Sequence, residues 1–438
     1  MRELYEEEMK TMGIQRAGWA FFLCLVSVSG GADLSTANRD SLSHFWQAAE
    51  QKQRPVTVVS FGDSMADSYQ SIAYVLMNRF RNQLGIAGYS LNSYANTTLW
   101  YSPDGATSIP PSPFWFGYHF QLIPNSSIGW VNQQNVNGVW SDRVGLFWAA
   151  HPNGGPMRLL VSTNGGPWSA VLTLDGYSAE PRGCFTNVTA PLNYHRLKVE
   201  GISGTNYIIG PHLLNSQSSG IHVAFMDYPG ITLGTVTNVP LSIRVPIFQA
   251  LKPDLLIWHM KEDGSATTEQ RMRECEEWWW SHPECDLLYI GTPWTETDAT
   301  TPLTIEQNTL VRAHAIQHSR AYVDCMNPAT SYDWMLVQGY MRDAVHLNVQ
   351  GSTYLANLVW DGLGFFALGA RRRLEVFRDG NGMIVRYEAS NGIQYTLESS
   401  TNLVDWQTVT SMRGSGGSEE ANVPAGEKAQ VYRLRLSP

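Results

Sequence analysis

Apolar residues follow two different rhythms along this chain. Between Arg54 and Gly88, Val56, Val58 and Val59 form a short β-branched run, which predicts a strand. Ile72, Val75, Leu76, Phe80 and Leu84 then recur at helical spacing, and Gly85 suits the end of that helix. From about Asn92 to Gly220 the pattern changes to short alternating runs such as "RLLVSTN", "SAVLTLDG" and "HRLKVEGI", set between Gly, Pro, Asn and Ser turn residues. That predicts a β-rich module of many short strands. After His222 the first rhythm returns. "DLLIWHM", "DLLYIGTP" and "AYVDC" read as buried strands, separated by the helical stretches "TEQRMRECEEWWW" and "LTIEQNTLVRAHAIQHSR". Strands alternating with helices imply a parallel sheet covered on both faces. A last helix, "NVQGSTYLANLVWDGLGFFAL", carries Asn348 as its N-cap. Beyond "ARRRLEVF", the strands in "MIVRYEAS", "IQYTLESSTNLVDWQTV" and "AQVYRLRLS" alternate with "DGNG" and "RGSGGS" turns. The expected plan is an α/β domain over 33–91 and 221–368, a β-rich insertion over 92–220, and a C-terminal β-sandwich over 372–438.

Composition narrows the class. The 438 residues are 43% hydrophobic and 16% charged, which suits a globular protein with a real core. A net charge of −9 gives no electrostatic basis for a nucleic-acid partner. Sixteen Trp and nineteen Tyr suit either stacking on sugar rings or the cores of β-sandwiches. Lys10 and Arg16 precede the run "AGWAFFLCLVSVSGGA", with small residues at Gly30 and Ala32. That pattern predicts a signal peptide over 1–32, with Met9 or Met12 as alternative starts, and an exported protein that is secreted, periplasmic or on the cell surface. The run is short for a membrane span and no later segment is apolar enough for one. With Cys24 removed, Cys184, Cys275, Cys285 and Cys325 allow two disulfides, and the short loop between Cys275 and Cys285 makes them the expected pair. No Cys or His pair has zinc-finger spacing.

The chemistry centres on Ser64, in the "FGDS" that ends the first strand. A serine becomes a nucleophile when a base takes its proton and a third group orients that base. Otherwise Ser64 is a polar residue at a helix start. In "MRDAVHLNVQG", Asp343 precedes His346 by three residues, so its carboxylate can reach Nδ1 of that ring and leave Nε2 for Ser64. Both loops then fall at the C-terminal edge of a parallel sheet, where such domains place their sites. Ala66 stands where an α/β-hydrolase elbow needs its last Gly, which argues against that fold.

"FGDS" after the first strand together with "DAVH" before the last helix resembles the SGNH (GDSL-type) esterase and lipase superfamily, over roughly 40–91 and 220–368. The resemblance implies a three-layer α/β/α flavodoxin-like fold and no metal or other cofactor. It makes Ser64 and His346 catalytic, with Asp343 supporting the histidine. It also implies an oxyanion hole built from the Ser64 N–H, a glycine N–H and an asparagine side chain. Gly234 in "YPGITLGTV" is the best match for the glycine and Gly230 the second. The asparagine block departs from the family: after "PDLLIW" the chain reads "HMKEDG", which puts Asp263 where Asn is expected. Three readings fit: another donor such as Asn96 takes the role, Asp263 is protonated, or the site is degraded.

The insertion is similar to that of bacterial peptidoglycan O-acetylesterases and related polysaccharide esterases, and "GIAGYS" resembles the motif preceding it. The expected substrate is therefore an acylated polysaccharide or peptidoglycan, with acetyl as the acyl group. Two alternatives stay open: a non-catalytic carbohydrate-binding protein on a degraded esterase core, and an esterase for lipid or other small esters. Trp100, Tyr101, Trp115, Phe116 and Tyr118 are either sugar-stacking rings or the insertion's own core. His259, at a predicted strand end, reads as a packed or rim histidine.

Overall fold

The computed structural model describes residues 36–66, 70–91, 99–132, 139–260, 268–279, 284–296, 303–365, 375–379, 382–388, 394–401, 406–413, 418–424 and 431–437. The signal-peptide region 1–32, Asn96 and Asp263 lie outside these residues, as do the side chains of Trp100 and Tyr101.

The elements follow the two rhythms. First come β1 (Thr36–Ala37), α1 (Ser43–Gln51), β2 (Val56–Gly62), α2 (Ile72–Leu84) and β3 (Ile86–Ser90). A run of strands follows: β4 (Leu99–Asp104), β5 (Thr107–Ile109), β6 (His119–Leu122), β7 (Ser127–Asn132), β8 (Trp140–Ala150), β9 (Pro156–Thr163), β10 (Ser169–Asp175), β11 (Arg182–Gly201) and β12 (Asn206–Leu214). Alternation of strand and helix then resumes with β13 (Ile221–Asp227), α3 (Leu233–Thr237), α4 (Leu241–Leu251), β14 (Leu255–His259) and α5 (Thr268–Trp279). It continues through β15 (Asp286–Ile290), α6 (Leu303–Gln317), β16 (Ala321–Val323), α7 (Tyr332–Val337) and α8 (Val349–Gly362).

Strands β3, β13, β2, β14, β15 and β16 lie side by side in that order, and every pair among them is parallel. The apolar runs are continuous because both faces are buried. Along β2, Val56 and Val58 enter one core while Val59 and Phe61 enter the other. On β14, Leu255 and Ile257 join the first and Leu256 and Trp258 the second. Helices α2 and α8 pack together and supply the first core with Ile72, Leu76, Phe80, Leu355 and Val359. Leu233 of α3, Ile247 of α4 and Met272 and Cys275 of α5 supply the second. Each such side chain, fully buried, contributes roughly 1.5–3 kcal/mol.

The insertion does not fold as a detached module. Its last strand, β12, pairs antiparallel with β3 (His212 with Ser90, Leu214 with Gly88), and β8 and β11 continue outward from β12. The parallel strands and the inserted ones thus form a single 16-stranded sheet among the described residues. Trp115 and Phe116 are buried and stacked 4.6 Å apart, and Phe116 meets Phe61 of β2 edge-on. These two rings are core rather than a sugar platform. Tyr118, half-buried, packs on Tyr228 after β13.

The expected disulfides are not formed: Cys184, Cys275, Cys285 and Cys325 are all thiols. Layering separates Cys325 from Cys275 and Cys285, but these two share one core and remain unpaired within it. Cys325 belongs to one core and Cys275 and Cys285 to the other, with the sheet between them. Cys184 lies on β11 of the insertion, and burial pushes the Cys285 thiol well up, keeping it inert.

One compact unit spans Gly31–Gly369, and the C-terminal strands belong to a second. These are β17 (Glu375–Asp379), β18 (Gly382–Glu388), β19 (Gln394–Ser400), β20 (Gln407–Arg413), β21 (Ser418–Pro424) and β22 (Val431–Ser437). They make two three-stranded antiparallel sheets, β17-β18-β21 and β20-β19-β22. Alternating residues Val385 and Tyr387 of one, and Tyr395 and Leu397 of the other, are buried, with the two tyrosine rings 5.5 Å apart. No helix among the described residues is long and apolar enough to cross a membrane.

Candidate active site

Strand β2 lies centrally among the parallel strands, flanked by β13 and β14, and the chain winds outward from it in both directions. The loop after its C-terminal end therefore opens at the switch point where α/β sheets hold ligands. Ser64 sits in that loop. Asp63 shapes it, its carboxylate accepting from the Met65 N–H at 2.8 Å and its carbonyl from the Ala66 N–H at 3.0 Å. Helix α2 begins only at Ile72, and its N-cap is Ser71, whose hydroxyl accepts from the Tyr74 N–H. Ser64 is thus not the helix-starting residue.

The second loop, before α8, is fastened at several points. Asn348 caps α8 by accepting from the Gly351 N–H, while its side-chain amide donates to the carbonyls of Gly339 and Met341. The Arg342 N–H bonds the His346 carbonyl, and the Glu296 N–H bonds that of Ala344. The Ser352 hydroxyl donates to the Gln70 carbonyl, tying α8 to the serine loop.

These constraints bring three residues together across the chain. His346 Nδ1 faces both Asp343 carboxylate oxygens, at 2.9 and 3.0 Å, so the ring proton belongs on that nitrogen. The lone pair of Nε2 then points at Ser64 Oγ, 2.9 Å away, and accepts its O–H. Asp343 Oδ1 also accepts from the N–H groups of His346 and Val345. Desolvation tends to raise its pKa, but those two N–H bonds and the imidazole outweigh it and hold the carboxyl well below the usual carboxylate range. Arg342 pairs with the same carboxylate at 3.2 Å. Asp343 is exposed and His346 only partly covered, so the pair is open to solvent on its outer side.

A small pocket of about 10 Å³ lies against Ser64 and His346, lined also by Met65, Ile72, Ser352 and His259. From sequence alone His259 reads only as a packed or rim histidine. It is fully buried at the end of β14, and its backbone explains Gly62: a Cβ there would stand 1.9 Å from the His259 carbonyl oxygen. Only glycine allows the serine loop to leave the sheet this close to β14. The signal was available in "DLLIWHM", where one polar residue closes an apolar run.

Gly234 lies in the first turn of α3, with the Arg271 guanidinium 3.1 Å from where its Cβ would be. Thr232 caps this helix through the Thr235 N–H. Gly230 precedes it with φ near 77°, in the left-handed region. Among the described residues, no hydrogen bond joins either glycine to Ser64.

No protein-family model matches the sequence, and no curated protein matches it. Among solved structures, one described as a peptidoglycan O-acetylesterase in action superposes with a TM-score of 0.59 at 18% identity, over 76% of this chain and 98% of the other. A family two carbohydrate esterase from Cellvibrio japonicus gives 0.24 at 9% identity, over 61% of this chain and 96% of that one. A family 29 carbohydrate-binding module gives 0.22 at 15% identity, over 30% and 87%. The last two scores are too low for a shared fold to be argued from them. The chain therefore has the mixed α/β fold of a solved peptidoglycan O-acetylesterase, at an identity that carries the fold alone.

Proposed function

We propose that this protein is an exported serine esterase of the SGNH type that removes acyl groups, acetyl foremost, from a polysaccharide or peptidoglycan. In this reading, residues 33–91 and 221–368 form a three-layer hydrolase domain, 92–220 an insertion and 372–438 a β-sandwich appendage. The observation that carries it is the Ser64–His346–Asp343 chain of hydrogen bonds, 2.9 Å at each link, at the C-terminal edge of a parallel sheet. Likeness of fold to a peptidoglycan O-acetylesterase supports the substrate class.

Ser64 Oγ attacks the ester carbonyl as His346 Nε2 takes its proton. The resulting imidazolium stands against Asp343, whose hydrogen bonds keep it ionised. The Ser64 and Gly234 N–H groups hold the oxyanion, with Asp263 at the position where the family has Asn. The tetrahedral intermediate collapses, the C–O bond to the sugar breaks, and His346 returns the proton to the departing alkoxide. Water, deprotonated by His346, then releases the carboxylic acid from the acyl-serine. The exposed flank of the pair suits a polymeric substrate.

The test is direct. Wild type should release acetate from acetylated xylan, mannan, pectin or peptidoglycan and react with a fluorophosphonate probe, and Ser64→Ala should lose both. Equal turnover by wild type and Ser64→Ala removes the assignment.

A further inference from the structure

His259 is a buried histidine beside the Ser64–His346–Asp343 hydrogen-bond chain. Both of its ring nitrogens are buried and neither makes a hydrogen bond of good geometry within the protein, although the Met65 backbone lies close enough to act on the ring. Leaving such groups unpaired is costly, and native structures keep the cases that serve a purpose or are met by water. Strand alternation fixes which way the ring points. Leu255 and Ile257 face the core under α2 and α8, so His259, two residues on, faces the same side. That is the side from which His346 arrives, ahead of α8. The glycine loop and α3 pack on the opposite core, so an oxyanion held there lies away from His259.

We propose that His259 is a positioning residue for the esterase site: its ring holds one water in the pocket behind Ser64 and His346, and that water donates to Ser64 Oγ and fixes its rotamer. This inference rests on the esterase reading above. The pocket has room for about one water molecule. Ser64 Oγ spends its proton on His346 Nε2 and keeps lone pairs free to accept a second hydrogen bond. The Ser71 and Ser352 residues on the wall add polar surface. Burial also pushes the His259 pKa down to about 4, partly opposed by the Met65 backbone, so the ring is neutral at working pH. A cation here would compete with the imidazolium that His346 must become. Among the described residues, His259 and His346 are the titratable groups lining the pocket, while Asp343 and Arg342 face His346 from outside.

Three variants and one crystal test this. On an aryl acetate, His259→Phe should lower kcat about tenfold with KM unchanged, the rate equivalent of one modest hydrogen bond. His259→Asn or His259→Gln, whose amides can hold the same water, should recover most of that loss. An unchanged kcat in His259→Phe overturns the proposal, and so do folded amide variants as slow as the phenylalanine one. Should His259→Phe fail to fold, a high-resolution crystal structure of the unaltered protein decides. It should show a water within roughly 2.7–3.2 Å of both a His259 nitrogen and Ser64 Oγ, and a pocket without one overturns the role. Failure of the esterase reading looks different, because either the wild type would then show no turnover or Ser64→Ala would keep it.

Discussion

The backbone carbonyl of His259 occupies the space that a side chain on Gly62 would need, 1.9 Å from an ideal Cβ. Strands β2 and β14 pair through these two residues just before the serine loop begins. Gly62→Ala must push the strands apart or shift the loop. Overpacking of this kind typically costs about 1–3 kcal/mol. Chemical denaturation should show that loss, and aryl-acetate turnover should fall further than stability does. A variant as stable and active as wild type would show that the loop tolerates the shift.

Asp343→Asn should leave the fold intact and reduce kcat/KM by roughly 10³–10⁴, the loss seen when a triad carboxylate becomes an amide and the ring takes the wrong tautomer. Because the Asp343 carboxyl is held low, it stays ionised well into the acid range, so the acid limb of the pH profile should not come from this carboxylate. Whatever stability the carboxylate adds is present above its unfolded pKa and disappears as pH falls through the lower folded value. Steady-state kinetics across pH check both points, and a loss under tenfold would argue against the orienting role.

Stability as a whole should decline on mild acidification. Burial pushes His119, His212 and His259 down to about 4, and His222 well below its usual value. The unfolded chain therefore binds protons near pH 6.5 that the folded one refuses, and stability drops as pH falls from about 6.5 toward 4. Asp286, raised to about 6 mainly by burial, and Asp361, also raised by burial, have the opposite slope but are two groups against four. Thermal melts at half-unit steps should show Tm falling over this window. A flat Tm would mean that the buried rings are hydrated or protonated in the native state.

Trp115→Ala should destabilise the protein by about 3–5 kcal/mol, as expected for a large aromatic removed from a core. Hydrolysis of aryl acetates and of acetylated polysaccharide should then decline together. Selective loss on the polymer would return Trp115 to the binding surface.

With the four described cysteines as thiols, reductant should leave Tm unchanged. A thiol reagent should modify Cys184, the partly exposed one, in the native protein and reach Cys275, Cys285 and Cys325 only after unfolding. A Tm that drops on reduction would show a disulfide in the purified protein.

Much of the α/β part was readable because burial on both faces leaves unbroken apolar runs, as in "VTVVSFG" and "DLLIWHM". Ser64, Asp343 and His346 could be paired on paper because each opens or closes a recognisable element, and they do meet in space. Other features depend on partners far away in the chain. The cysteines pointed to disulfides by number and loop length, whereas the sheet that sets Cys325 apart from Cys275 and Cys285 exists only once the strands assemble. Trp115 carries the same local signature whether it stacks on a sugar or on Phe116. The environment of His259 arises only when β14 comes alongside β2 and the pocket closes over it.

The junction between β3 and β12 has a mechanical consequence. A hinged flap can swing because little crosses its boundary, but here Ser90, Tyr89 and Gly88 are paired in register with His212, Leu213 and Leu214. The boundary is itself a row of sheet hydrogen bonds, reinforced where the Ser90 hydroxyl contacts both His212 and His222. Rotating the inserted strands would tear that row, so they behave as a cantilever clamped to the parallel strands. Whatever they present stays at a fixed distance from Ser64, and under the esterase proposal selection among substrates falls to shape rather than to closure.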